Sequence, residues 1–199
     1  MNIISNTCVG AALQRDCIKQ EYENPFCWCT VDFNSMYYLI ENFEKINFNN
    51  FELIKNEKWR FSIRIENKIQ INFPHYKLGK TDKTFRRHGE DIFYYKMWEY
   101  VVQKYEERLK RMKTLKNEPI FVIATIHKCQ TYTNEQIRKI CELCSKKHYK
   151  FIVSNNNIDL SKDFPTVKFI KTKFTERDFN NVGFAKSIYP EIEQFIKEG

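Results

Sequence analysis

Two short apolar runs, Ile120-Phe-Val-Ile-Ala124 and Phe151-Ile-Val153, flank one strongly patterned helical stretch. Each run has the length of a strand and no polar alternation, as expected for strands buried on both faces. Between them, Thr133 can cap a helix that reaches Lys147 and turns Ile137, Ile140, Leu143 and Cys144 to one side. A strand, a helix and a second buried strand form a β-α-β unit, and such a unit requires a parallel pair with a crossover. This constraint places the chain among α/β proteins.

The rest of the chain is read around that unit. Ile3-Ile4 makes a first strand, followed by cap residues Ser5-Asn6-Thr7 and a helix from about Cys8 to Lys19 with Gly10, Ala11 and Ala12 on its first turns. Met36, Leu39, Ile40 and Phe43 have helical spacing within 33–46. Trp59, Phe61, Ile63 and Ile65 alternate, as do Ile69, Ile71 and Phe73 beyond Glu66-Asn67-Lys68, which predicts a β-hairpin ended by Pro74. A long amphipathic helix is expected over 91–115, a last strand at 167–170, and a closing helix over 188–197. The expected fold is therefore a three-layer α/β domain spanning 1–199, with a central, mainly parallel sheet, helices on both faces and an antiparallel hairpin at one edge.

Length and composition fit that picture. At 199 residues, with five Gly and five Pro scattered, the chain shows no linker or repeat. The start lacks the features of a signal peptide, and no run of about 18 apolar residues could span a membrane. A cytoplasmic location is expected, and the seven cysteines are expected as free thiols. The net charge is +8, but residues 1–60 hold six basic and eight acidic side chains, so the remainder carries +10. Such a half attracts phosphates and sugar nucleotides, yet no nucleic-acid motif accompanies it, and nucleic acid is not expected as a partner.

Cys8 is the first candidate for chemistry. A cysteine in the first turn of a helix lies beside unpaired backbone N–H groups, which favour the thiolate and can hold an oxyanion. The opposing reading is a small buried residue packing that helix on the sheet. His75, after Pro74, is the matching base candidate, and His127, at the carboxyl end of 120–124, is the alternative base, on the edge where α/β sheets bind ligands. Arg86 and Arg87, with His88 beside them, are candidates for anion binding or for a solvated charged loop. Cys141-x-x-Cys144 with His148, and Cys27-x-Cys29, have metal-like spacing, but both pairs sit in apolar segments where packing explains them. No metal and no cofactor is expected, since Walker and G-x-G-x-x-G loops are absent.

The words Ile4-Ser-Asn-Thr-Cys8-Val-Gly10, Asn24-Pro25-Phe26-x-Trp28 with Asp32-Phe33, and Ile69-x-Ile71-x-Phe73-x-His75-Tyr76, followed by a long basic helix into Ile120-Phe-Val-Ile123, occur in a familiar order. Over residues 3–125 the chain resembles a bacterial family labelled exopolysaccharide biosynthesis proteins, and more loosely a family labelled papain-like cysteine peptidases. The first resemblance implies a link to surface-glycan assembly. The second implies that Cys8 is a nucleophile and His75 its base; it assigns no orienting group in this chain, for which Asp163 and Asp178 are the candidates. In that second pattern Asp follows the histidine, whereas Tyr76 stands here. The leading expectation is a thiol-dependent acyltransferase or hydrolase acting on a small-molecule or glycan-related substrate. The alternatives are a sugar-nucleotide-dependent transferase and a non-catalytic binding module.

Overall fold

The computed structural model describes residues 2–19, 24–27, 29–55, 60–77, 90–114, 119–124, 132–154, 158–172 and 180–198. The chain begins with β1 (Asn2–Ser5), α1 (Val9–Ala12) and π-helical turns over Leu13–Cys17. Then come β2 (Thr30–Val31), α2 (Phe33–Asn42), β3 (Phe51–Lys55), β4 (Arg60–Ile65) and β5 (Ile69–Lys77). After α3 (Glu90–Thr114) follow β6 (Pro119–Ala124), α4 (Asn134–Lys147), β7 (Lys150–Ser154), β8 (Val167–Ile170) and α5 (Asn181–Glu198).

The fold is α/β. Strands β1, β6, β7 and β8 form a wholly parallel sheet in the order β1-β6-β7-β8. Side-chain alternation divides its residues between two cores. Ile3, Ile120, Val122, Ala124 and Ile152 face Val9, Ala12 and Leu13 and the α5 residues Phe184, Ala185, Ile188 and Ile192. Ile4, Phe121, Ile123, Phe151 and Val153 face the other way, toward α2, α3 and α4. The three layers follow from strands that are apolar on both sides.

The antiparallel hairpin β4–β5 lies within a second, separate four-stranded sheet of order β2-β5-β4-β3. The two sheets share the larger core, where Ile63, Ile65, Ile69, Ile71 and Phe73 meet Ile4 and Phe121. One backbone bond, from Val31 N–H to Asn6 O at 3.2 Å, ties β2 to the chain leaving β1. The hairpin turns through Glu66 and Asn67, both left-handed, with φ of 52° and 55°. β5 is not ended by Pro74 but continues to Lys77. Its ladder with β4 jumps from Phe73–Phe61 to Lys77–Arg60, so Pro74 falls within an irregular stretch that asks no ladder donor of it.

Local signals explain the helix ends. Thr133 Oγ1 accepts from Gln136 N–H at 3.2 Å and Gln136 Oε1 accepts from Thr133 N–H at 2.9 Å, a complete capping box on α4. Thr133→Ala is expected to lower stability by about 1 kcal/mol, read from the denaturant midpoint; an unchanged midpoint would contradict the role of the cap. α5 begins earlier than its sequence pattern indicated, because Asn180 Oδ1 accepts from both Val182 and Gly183 N–H at 3.0 Å.

Candidate active site at the junction of the two sheets

The chain leaving β1 enters a buried polar turn. Ser5, Asn6 and Thr7 are all buried. Ser5 Oγ accepts from Thr7 N–H and Thr7 Oγ1 accepts from Val9 N–H, each at 3.3 Å. Asn6 links three strands, donating its N–H to Val122 O at 3.3 Å, accepting from Val31 N–H at 3.2 Å, and taking Ala124 N–H on its side-chain oxygen at 3.0 Å. Gly10 lets α1 rest on this turn, since a Cβ there would lie 2.8 Å from Ser5 Cβ. Gly10→Ala is expected to destabilise the chain by about 1–3 kcal/mol through overpacking, and an unchanged unfolding free energy would contradict that close approach.

Cys8 is the N-cap of α1 and is 6% exposed. Its thiol donates to Cys29 O at 3.7 Å. Cys29 Sγ donates in turn to Phe26 O, and Cys27 Sγ to Gln14 Oε1, so three buried thiols gather where β2 approaches α1. The turn that carries two of them is pinned from three directions. Asn24 donates to Ile3 O and accepts from Phe26 N–H, both at 2.9 Å, while buried Arg108 on α3 donates to Cys27 O at 3.0 Å.

Burial pushes the Cys8 thiol up to about 11, and its backbone hydrogen bond offsets this only in part. The expected helix-terminus effect does not prevail, for two local reasons. α1 is a single turn that passes directly into π-helical turns, and its Val9 N–H is already taken by Thr7. Cys29 is raised as well, chiefly by burial and then by the neighbouring thiols Cys8 and Cys27, against the lowering effect of Arg108. With their thiols raised by burial, Cys8 and Cys29 rest as neutral thiols at neutral pH.

Of the other candidates, His75 lies on β5 in the stretch between Phe73 and Lys77, and only its backbone is described. His127, Arg86, Arg87, His88 and Asp178 lie outside the described residues. Asp163 is half-exposed and ion-paired with Arg138 at 2.7 Å. Cys141 and Cys144 are on the packed face of α4, and burial pushes Cys141 up to about 12 and Cys144 higher. Among the described residues no group of three or more His, Cys, Asp or Glu could hold a metal ion, and no helix is long and apolar enough to cross a membrane.

Sequence reading missed Asn6, Gln14, Arg108 and Tyr132. Tyr132 donates to Val31 O at 3.0 Å and stands beside Phe33. The amide nitrogen of Gln14 is buried and closes no hydrogen bond among the described residues, while the buried Asn6 amide faces the Tyr132 hydroxyl. Asn6, two positions before Cys8, was read only as a cap residue; the burial that makes it unusual comes from contacts distant in sequence. No protein-family model, no curated protein and no solved structure matches this chain.

Proposed function

We propose that this protein is a thiol-dependent acyltransferase or hydrolase, with Cys8 as nucleophile and His75 as base, acting on a small or glycan-linked acyl substrate. The observation that carries this reading is the position of the Cys8 thiol. It follows β1 at the carboxyl edge of a parallel sheet, where α/β proteins bind ligands, and it contacts Cys29 O immediately before β2. β2 pairs with β5 at Thr30–Asn72, and β5 then runs on through the irregular stretch that holds His75. Bulges of this kind re-aim side chains and recur beside active sites.

The chemistry follows from a neutral resting thiol. With substrate bound, His75 takes the thiol proton, the sulfur attacks the acyl carbon, and the carbonyl electron pair moves to oxygen. Collapse of that oxyanion expels the leaving group, which recovers the proton from His75. Water or an acceptor hydroxyl then releases the acyl group by the same steps. A sulfur kept protonated between turnovers is protected from adventitious alkylation and oxidation.

The test uses p-nitrophenyl acetate and maps acetylated peptides by mass. Acetyl transfer to the Cys8 peptide is expected in the wild type, lost in Cys8→Ser, and slowed at least a hundredfold in His75→Gln. Equal labelling of the wild type and Cys8→Ser would remove the thiol-enzyme reading.

The burial of Cys8 favours a second reading, in which the sulfur packs the turn and the same sheet edge holds a sugar nucleotide for transfer in surface-glycan assembly. The basic excess beyond residue 60 suits such a ligand. UDP-sugars and GDP-sugars would then raise the melting temperature. A flat thermal-shift screen would leave that reading without support.

A further inference from the structure

We infer that a cleft at the amino-terminal edge of the parallel sheet, opposite the edge that carries Cys8, binds a small carboxylate with an apolar body. The cleft encloses about 440 Å³, within the range of roughly 300–1,000 Å³ that holds small ligands. It lies where β7 and β8 begin and where α4 and α5 end, so elements fixed by the sheet and its cores supply the lining. Buried Cys144 and half-buried Phe195 give it apolar surface, and exposed Pro165 extends that surface toward solvent.

The polar groups decide the ligand class. Two helix C-termini would ordinarily present carbonyl oxygens that favour a cation. Here those carbonyls are engaged. Tyr149 N–H donates to Cys144 O at 3.0 Å, His148 N–H to Ser145 O at 3.3 Å, and Lys150 Nζ to Ile196 O at 3.1 Å. What remains in the cleft is chiefly donors. The half-buried Lys150 ammonium sits 5.9 Å from the centre of the Phe195 ring, and Ile196 takes only one of its three N–H groups. The hydroxyls of Ser145 and Thr166 share one hydrogen bond at 3.1 Å, which leaves one O–H to donate elsewhere. Among the described residues the lining holds one carboxylate, Glu198, and it already accepts from Gln194 Nε2 at 2.6 Å. An ammonium held beside an aromatic ring, with a hydroxyl donor in the same cleft, complements an anion with an apolar body. In the bound state the carboxylate accepts from Lys150 while the body lies against Phe195 and Cys144. This site is independent of the thiol-enzyme reading, since it shares no residue with the Cys8 turn.

The test titrates the full chain, labelled with nitrogen-15, with three ligands that share one apolar body: 4-phenylbutyrate, 4-phenylbutanol and 4-phenylbutylamine. Backbone amide shifts locate each ligand. The carboxylate is expected to move the amides of Ser145, Tyr149, Lys150 and Thr166 and to bind about tenfold more tightly than the alcohol, with the amine weakest. Lys150→Met keeps the apolar stem and removes the charge; it is expected to bring the carboxylate down to the affinity of the alcohol, while Lys150→Arg retains the preference. Wild-type shifts outside the cleft show that each variant is folded, and the three-ligand comparison on the wild type stands even where a variant is not. An absence of shifts at these four amides up to about 10 mM carboxylate overturns the inference, because binding weaker than that carries no specificity. Equal binding of carboxylate and amine, or an undiminished preference in folded Lys150→Met, overturns it as well.

Discussion

Phe121→Ala is expected to lower the unfolding free energy by about 3–5 kcal/mol, the usual range for removing a buried aromatic ring. Phe121 is fully buried on β6, which is paired on both sides. Its ring meets Phe43 beyond the end of α2 at 6.0 Å and 88°, edge to face, and Tyr149 before β7 at 5.5 Å. It therefore joins the parallel sheet to the layer that also packs the second sheet, and the cavity left by alanine would open where several elements meet. Strands paired on two sides cannot shift to close it, which puts the cost toward the upper part of that range. Urea titration followed by tryptophan fluorescence measures the effect. A loss below about 1.5 kcal/mol would show that the site collapses, contrary to the close packing described above.

The parallel half of the fold was legible because its strands are apolar on both faces and its α4 helix carries a local cap. Ile120–Ala124, Phe151–Val153 and Thr133 need no distant information to be recognised. The second sheet was only half visible. β4 and β5 alternate cleanly, but β3, Phe51-Glu-Leu-Ile-Lys55, puts apolar Leu53 and Ile54 on opposite faces and lacks that alternation. β2 has two residues, and one bond to Asn6 O and a ladder to β5 hold it, so its existence depends on partners 25, 40 and 42 positions away. The first helix was expected to run unbroken toward Lys19; instead Ile18 N–H reaches Leu13 O, five residues back, and the last turns widen to π-helix.

The candidate site divides along the same line. That Cys8 would follow a strand and open a helix was readable from Ile3-Ile4 and the cap residues. Its depth was not, because what covers it comes from the turn at residues 26–29, and Arg108, 81 positions beyond Cys27, holds that turn. The helix-terminus argument for a reactive thiolate was locally sound. Burial contributed by a distant segment outweighed it. The same distance hid Asn6, whose three strand contacts involve residues 31, 122 and 124.

Alkaline pH is expected to unfold this chain well before its surface groups would require it. Burial raises the folded-state thiols of Cys8 (to about 11), Cys141 (to about 12), Cys29 and Cys144, and the phenols of Tyr105 and Tyr132. A thiol that ionises near its ordinary value, 9.0, in the unfolded chain and near 11 in the folded one holds its proton more tightly when folded. Its contribution to stability is therefore complete below pH 9 and is lost as pH rises from about 9 toward 11. At about 1.4 kcal/mol per pH unit, Cys8 alone removes roughly 2–3 kcal/mol across that window. The other buried thiols act in the same direction, and the phenols join them above their ordinary value of 10.0. Denaturant midpoints should thus stay nearly level from pH 7 to 8.5 and then fall steeply. Cys8→Ala should flatten part of that fall, while reaction of the Cys8 peptide with iodoacetamide should rise about tenfold per pH unit between pH 7 and 9. If the midpoint is the same at pH 10 as at pH 7, or the Cys8 rate levels off below pH 9, then a polar environment surrounds the sulfur, and the neutral resting thiol proposed for this site is wrong.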